Sequence, residues 1–248
     1  MSGHSKWATI KRKKGATDAK RGKVFSKIIR EITIAARIGG GDPDGNPRLR
    51  LVIDKARAAN MPADNVQRAI KKGTGELEGE SYEEFSLEGY GPGGVALLIE
   101  AMSNNRNRTV AEIRHLLTRW GGNLGENGCV GWMFQRKGVL TFPASVGEEK
   151  LMEVALEAGA EDIQPADDVF EVTTGPTDLE IVRNACEAKG LKSIESSYQL
   201  IPQNTIRLEE ETAEKCVKLL EALEDHDDIQ NVHSNFDIDA KVMEKLVS

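Results

Sequence analysis

Several features that define common protein classes are scarce in this sequence. Its three cysteines, Cys129, Cys186 and Cys216, are far apart and form no CxxC pair. An odd, scattered set of cysteines fits a reducing compartment better than a disulfide-linked secreted protein. No apolar run approaches the roughly 18 residues that cross a bilayer, and the first residues lack the apolar core of a signal peptide. We therefore expect a cytoplasmic protein with no membrane partner.

Motifs for catalysis, metals and cofactors are also lacking. The four histidines form no HExxH pattern, and neither a nucleophile elbow nor a paired-carboxylate motif is found. "GYGPGG" at 89–94 matches GxGxxG, but the strand-like "VALLIEAM" follows it, so a tight turn between antiparallel strands is the better interpretation. "EDHDDIQNVH" at 224–233 could hold a hard cation, but it is more typical of a solvated helix end that leads into a strand. We expect no enzymatic activity, no metal and no cofactor; an enzyme with an interdomain cleft is the alternative, without a supporting constellation.

The charge is divided unequally along the chain. The formal net charge is −7, yet residues 1–72 hold 18 Lys and Arg against 6 Asp and Glu, a net +12. Residues 73–248 hold the remaining 15 and 34, a net −19. Such a division indicates a front that binds a polyanion and an acidic remainder.

The basic front has two parts with different patterns. Residues 1–17 contain five Lys or Arg, no acid and few apolar side chains, which predicts a mobile arm in the unbound protein. From Asp18 the pattern is that of a helix, which "GGG" at 39–41 ends. Its apolar stripe consists of Phe25, Ile28, Ile29, Ile32 and Ala36. At about 100° per residue, the opposite face carries Lys20, Lys23, Lys27, Arg30 and Arg37.

Together these cations form the predicted nucleic-acid site. Six to ten phosphate contacts give tight, salt-dependent binding, and the front supplies about that number. Trp7 could stack on an exposed base or pin the arm to the bundle. The predicted site comprises Lys6, Trp7, Lys11, Arg12, Lys13, Lys14, Lys20, Arg21, Lys23, Lys27 and Arg30. The alternative is a solvated charged face, and no helix carries a pattern of Asn, Gln and Arg that would read base edges.

A second candidate phosphate site lies in "SNNRNRT" at 103–109. Thr109 and Glu112 resemble a capping box, which predicts a helix from Thr109 onward. Arg106 and Arg108 would then precede the helical N–H groups, an arrangement suited to phosphate. The candidate residues are Arg106, Arg108 and Thr109, and the alternative is a loop whose arginines pair with nearby acids.

The rest of the pattern predicts an α+β fold of three domains. Two more short helices, from "GNPRLR" and "MPADNVQRAIKKG", complete a three-helix bundle with the basic arm at 1–78. Residues 136–204 follow a βαββαβ order, which is the ferredoxin-like arrangement. The helix at 211–224 and the strand at 229–235 would complete the unit at 79–135, if 136–204 is inserted within it. The predicted domains are therefore 1–78, the discontinuous α/β sandwich 79–135 plus 205–248, and the inserted 136–204.

Five stretches carry a family resemblance that spans essentially the whole chain. They are "MSGHSKWATIKRKKGATDAKRGKVFSKIIREI", "GGGDPDGNPRLR", "GYGPGG", "NNRNRTVAEIRH" and "GGNLGENGCV". The chain closely resembles the YebC/PmpR family, which includes a mitochondrial translational activator of cytochrome c oxidase. The resemblance implies a three-domain, cytoplasmic, non-enzymatic protein. It places the family's basic segment on Lys6 to Lys27 and its "NRNRT" loop on Arg106 to Thr109.

The same resemblance implies two candidate functions. Bacterial members are described as probable transcriptional regulators that bind DNA, and this is our leading expectation. A newer view ties the family to the ribosome, where it would assist translation of difficult sequences such as proline runs. The expected partner is therefore nucleic acid, either DNA or ribosomal or transfer RNA, with the ribosome as a further partner.

Overall fold

The structure is a computed structural model that describes residues 18–166, 168–239 and 242, with side chains from residue 22 onward. The predicted α+β class is confirmed, because three helices precede two four-stranded sheets. In chain order the elements are α1 Asp18–Gly39, α2 Pro47–Ala58, α3 Ala63–Thr74, β1 Glu83–Tyr90, β2 Ala96–Ser103, α4 Arg106–Arg119, β3 Asn123–Leu124, β4 Phe134–Pro143, α5 Glu148–Glu157, β5 Ala160–Ala166, β6 Val169–Thr174, α6 Leu179–Ala188, β7 Glu195–Pro202, β8 Ile206–Arg207, α7 Glu210–Glu224, β9 Ile229–Ser234 and β10 Phe236–Asp237. None of these helices is long and apolar enough to cross a membrane.

The helical region is held by one apolar core. Ile28, Ile32 and Ala36 of the predicted stripe are buried in it, with Phe25 and Ile29 partly buried beside them. Burying an isoleucine contributes about 1.5–3 kcal/mol, so this stripe is the main force that seats α1. The other members come from the two later helices and their connection: Leu49, Val52, Ile53, Ala56, Met61, Val66, Ala69 and Ile70.

Asn46 and Gly73 fix how the three helices pack against one another. Buried Asn46 caps α2 by accepting a hydrogen bond from the backbone N–H of Leu49 at 3.1 Å. Its amide nitrogen also donates to the carbonyls of Ala35 and Gly40 at 2.9 Å each, which ties α2 to the end of α1. Gly73 of α3 lies so close to α1 that a Cβ there would overlap the carbonyl oxygen of Thr33. The separation of α1 and α3 therefore depends on a glycine.

The first sheet joins segments from distant parts of the chain. Its order is β3-β1-β2-β9, and every neighbouring pair is antiparallel. One face packs on α4 and α7 through a core that includes Leu97, Ile99, Ile113, Leu117 and Leu220. The strand β9, near the C-terminus, thus joins the same sheet as β1, which lies more than a hundred residues earlier in the sequence.

The second sheet lies between those segments in the sequence. Its order is β5-β6-β4-β7 with antiparallel neighbours, the order of a split βαβ unit. Its core includes Leu140, Phe142, Val172, Leu151 of α5 and Val182 of α6. The predicted boundary at 136 falls inside β4, whose first residue Phe134 packs on Ala96 and Leu98 of the first sheet.

Three local predictions differ from the structure. The stretch "CVGWMFQ" at 129–135 is typical of a strand, but Gly131–Met133 form a short 3-10 turn and β4 begins at Phe134. The short strands β3, β8 and β10 were not predicted, since two-residue pairings leave no alternating pattern. The helix predicted from Thr109 begins at Arg106. The turn predicted at "GYGPGG" is present, because β1 and β2 are antiparallel and Gly93 and Gly94 adopt φ of 73° and 76°.

Candidate nucleic-acid interface

The predicted site divides at the edge of the described structure. Lys6, Trp7, Lys11, Arg12, Lys13 and Lys14 lie outside the described residues. Lys20 and Arg21 belong to α1, but their side chains are not among those described. Lys23, Lys27 and Arg30 can be placed, and all three contact the C-terminal part of the chain.

Lys23 and Lys27 lie against the C-terminal end of α7. The Lys23 ammonium is 2.7 Å from the carboxylate of Asp225 and donates to its backbone carbonyl at 3.0 Å. Lys27 donates to the carbonyl of Glu224 at 2.7 Å. The last carbonyls of a helix lack intrahelical partners and carry the negative end of its dipole, so they attract cations. Part of the basic face of α1 therefore binds a helix end of the same protein.

Arg30 is largely enclosed, with 17% of its side chain exposed. Its guanidinium is 2.9 Å from the carboxylate of Asp228 and also donates to the backbone carbonyls of Asp227 and Met102. The same group lies 5.4 Å from the ring centre of Tyr82. Arg30 thus joins α1 to one end of the first sheet, where β1 and β9 begin and β2 ends.

Asp228 is the centre of a polar cluster that sequence reasoning did not single out. Its side chain is only 3% exposed. Besides Arg30, it accepts from the hydroxyls of Thr109 at 2.6 Å and Ser103 at 3.0 Å and from the Arg108 guanidinium at 2.8 Å. Burial raises the pKa of Asp228, but these hydrogen bonds and the charge of Arg30 outweigh burial and hold its pKa below the ordinary value. The only sequence signal was the density of acids at 224–228.

This cluster changes the interpretation of the second candidate phosphate site. Arg106 and Arg108 lie inside the first turn of α4, and the cap is Asn105, which accepts from the N–H of Arg108 at 3.1 Å. Arg106 pairs with Glu83 at 3.0 Å, while the buried hydroxyl of Thr109 serves Asp228. The geometry differs from the expected one, because Arg106 and Arg108 lie within the helix rather than before it. An internal carboxylate, that of Asp228, binds Arg108 and Thr109, and the role of this site in phosphate binding stays a prediction.

His226 extends the cluster toward an open groove. Its Nδ1 accepts the backbone N–H of Asp228 at 3.1 Å, so the ring proton lies on Nε2, which donates to Glu112 at 3.0 Å. Donor atoms of Glu112, His226 and Asp228 lie within 4.8 Å of one another, the one such group in the described residues. Both ring nitrogens and the Asp228 carboxylate already have protein partners, so the group is built as a hydrogen-bond network. The groove beside it encloses about 780 Å³ and is lined by Lys23, Arg108, Ala111, Glu112, His115, Leu116, Asp225, His226, Asp227 and Asp228.

A second internal carboxylate organises the "GGNLGENGCV" stretch. Glu88 accepts three backbone N–H groups, from Gly128, Val130 and Gly131, each at 2.7 Å. Burial raises the pKa of Glu88, but these three donors prevail and lower it. Backbone N–H groups arranged in this way commonly bind external anions. Here the protein fills the position with its own side chain.

Models of known protein families match this chain along nearly its whole length. The family described as "TACO1/YebC protein N-terminal domain" matches residues 5–76, and the family described as "TACO1/YebC second and third domain" matches residues 82–236. The chain belongs to the TACO1/YebC family. This confirms the resemblance found in the sequence.

Relatives in this family are similar over their full length. Proteins named "Probable transcriptional regulatory protein" from Syntrophus aciditrophicus and Desulfotalea psychrophila are 60% and 59% identical over 248 residues, with 99% of each chain covered. A protein of that description from Geobacter sulfurreducens is 58% identical over 247 residues, with all of both chains covered. The crystal structure of a conserved hypothetical protein from Aquifex aeolicus is 51% identical and superposes with a TM-score of 0.84, covering 90% of this chain and 92% of that one.

Proposed function

We propose that this protein is a non-enzymatic, nucleic-acid-binding regulator of gene expression that acts on DNA. The observation that carries the proposal is the separation of charge, with a net +12 in residues 1–72 of an otherwise acidic chain. Cations concentrated in one segment release counterions when they meet phosphates, which favours binding to any nucleic acid. The "probable transcriptional regulatory" names of its relatives support a regulatory role.

The contacts of α1 reduce the number of residues that would be available to bind phosphate. Lys23, Lys27 and Arg30 already hold Asp225, Glu224 and the 227–228 segment. The phosphate contacts of the front segment would then come mainly from Lys6, Lys11, Arg12, Lys13 and Lys14. Arg30 and Lys27 would act by fixing the helical region on the first sheet.

The proposal assigns no catalysis to the chain. Among the described residues, one group of histidine and acidic side chains lies close together, Glu112, His226 and Asp228, and hydrogen bonds within the protein engage it. A general acid or base needs a proton position that faces substrate. The polar atoms of His226 and Asp228 instead form hydrogen bonds with each other, with Glu112 and with other side chains of α4.

Crosslinking in cells tests the proposal. Nucleic acid attached to the protein would be sequenced from cells that carry the wild-type chain and from cells in which Lys11, Arg12, Lys13 and Lys14 are changed to Ala. We expect discrete DNA regions that the quadruple variant loses. Recovery of predominantly ribosomal or transfer RNA would overturn the DNA assignment and support the translational alternative. Equal recovery by both proteins would show that the arm does not bind.

A further inference from the structure

We propose that the exposed face of α3, formed by Arg68, Lys71 and Lys72, is a phosphate-contacting surface of this protein. The inference rests on the proposed function, because it takes the phosphate backbone of a nucleic acid as the ligand. It adds a rigid surface to the basic segment at Lys6 to Lys27, and neither the relatives nor the sequence patterns above assign it a role.

The three cations lie on one face of α3. Val66, Ala69 and Ile70 are buried against the rest of the helical region, whereas Gln67, Arg68, Lys71 and Lys72 are exposed. Spacings of three and four residues place Arg68 next to both lysines on the helix surface. The result is a short stripe of positive charge that points to solvent.

These cations differ from three others of the helical region, which each pair with a carboxylate. Arg48 pairs with Glu84 at 2.7 Å, Lys55 with Glu31 at 3.0 Å and Arg57 with Asp54 at 3.0 Å. Among the side chains that the structure describes, from residue 22 onward, no carboxylate forms an ion pair with Arg68, Lys71 or Lys72. Asp64 is one turn before Arg68 and is not paired with it.

Folding alone does not account for the stripe. Like charges three and four residues apart repel each other and weaken a helix. Lys71 and Lys72 are in the last turn, where cations interact favourably with the helix dipole. Arg68 is a turn earlier and receives less of that benefit. A cation at this position adds repulsion that a bound polyanion would remove.

The stripe is also held in place. Gly73 follows it directly and contacts α1 with no room for a side chain, and the Thr33 hydroxyl lies 3.4 Å from the carbonyl of Ala69. Arg68 and Lys72 are separated by about 6 Å along the axis at 1.5 Å per residue. Long side chains this close together can meet neighbouring phosphates of one nucleic-acid strand.

Salt-dependent binding of the full chain tests the inference. Anisotropy titrations would use a labelled DNA duplex and a labelled single-stranded RNA at several salt concentrations. The test variant is R68Q/K71Q/K72Q. The matched control is K150Q/K189Q/K192Q, which removes the same charge from exposed lysines around α5 and α6 that have no ion pair in the described structure. Thermal unfolding would establish that each variant is folded.

We expect the α3 variant to bind about tenfold or more weakly, with a salt slope shallower by roughly 3, about 1 for each cation removed. The control variant should keep the wild-type slope. Equal salt slopes for the two variants would overturn the α3 assignment. Binding of the wild-type protein to DNA would in that case still support the proposed function. Absence of wild-type binding to both probes would overturn both. If the triple variant unfolds, R68Q alone should make the slope shallower by about 1, and an unchanged slope would refute the assignment.

Discussion

Helices α1 and α3 belong to the same small core, and both carry cations opposite an apolar stripe. Their cations have different surroundings. Those of α1 meet the carbonyl end of α7 and the buried carboxylate of Asp228, whereas those of α3 have no acidic partner among the described residues. Positive charge in a sequence is therefore not the same as positive charge that a ligand can reach. Four changes would test this contrast.

The largest expected loss of stability comes from replacing Asp228, because the contacts of α1 with the first sheet depend on its carboxylate. Asp228→Ala would remove the carboxylate that Arg30, Arg108 and the buried hydroxyls of Ser103 and Thr109 share. Breaking a buried ion pair from one side costs about 3–5 kcal/mol, and the partial exposure of Arg108 lowers the expected loss to roughly 2–4 kcal/mol. Urea unfolding would measure it. Asp225→Ala, which removes an exposed partner of Lys23, should cost less than about 1 kcal/mol, and equal losses would contradict a special role for Asp228.

Gly73 tests how tightly α3 is seated. In a helix, Gly→Ala normally stabilises by about 0.5–1 kcal/mol. At Gly73 the added Cβ would overlap the Thr33 carbonyl and lie 2.8 Å from the Cβ of Ala36, so we expect a loss of about 1–3 kcal/mol instead. Among the described residues, no atom outside the backbone of α1 itself and the two chain neighbours lies within 4 Å of such a Cβ at Gly22, so Gly22→Ala should stabilise. The same sign at both positions in thermal unfolding would refute the close packing of α1 and α3.

Acid should weaken the α1 contacts that depend on Asp228. The pKa of Asp228 is lower in the folded than in the unfolded protein, so its charge stabilises the fold above the unfolded value of about 3.9. That stability is lost as the pH falls through the lower folded pKa. The difference in unfolding free energy between wild type and Asp228→Asn should therefore be full at pH 7 and shrink below about pH 4. A difference that stays constant with pH would show that the carboxylate charge does not matter.

The smallest effect is expected on the α3 side. Removing Arg68, Lys71 and Lys72 together relieves two like-charge pairs at about 0.2–0.5 kcal/mol each and gives up part of the dipole interaction. The unfolding free energy of R68Q/K71Q/K72Q should thus stay within about 0.5 kcal/mol of wild type. Arg30→Met, which removes one buried cation, should destabilise more in the same urea titration. A large loss in the triple variant would mean that the α3 cations are structural after all.

The sequence predicted elements well where one local signal sufficed. The apolar stripe of α1, the Asn46–Pro47 start of α2 and the βαββαβ order each depend on residues close together in the chain. The first turn of α4 was misplaced because Thr109 and Glu112 imitate a capping box, while Asn105 makes the actual cap. Thr109 instead faces Asp228, far away in the sequence.

The candidate site was less predictable for the same reason. Periodicity shows that Lys23, Lys27 and Arg30 share a face of α1, but not that the end of α7 lies against it. The partners are separated by about two hundred residues, and their approach depends on β9 joining the first sheet. The lack of acidic partners around α3 is likewise a property of the whole fold. No short pattern could show it.

The insertion of one sheet unit into another has a consequence for how such a chain can be rearranged. The strands that enter and leave it, β4 and β7, are paired from Phe134↔Pro202 onward, and Gln203 donates to the carbonyl of Met133 at 2.9 Å. Residues 133 and 203 are therefore neighbours already, and a tight turn could splice them with little loop entropy. The shortened chain would keep the β3-β1-β2-β9 order but uncover Ala96 and Leu98, which Phe134 now shields. The chain connectivity would thus allow the inserted unit to be removed. Its first strand, however, covers apolar residues of the first sheet.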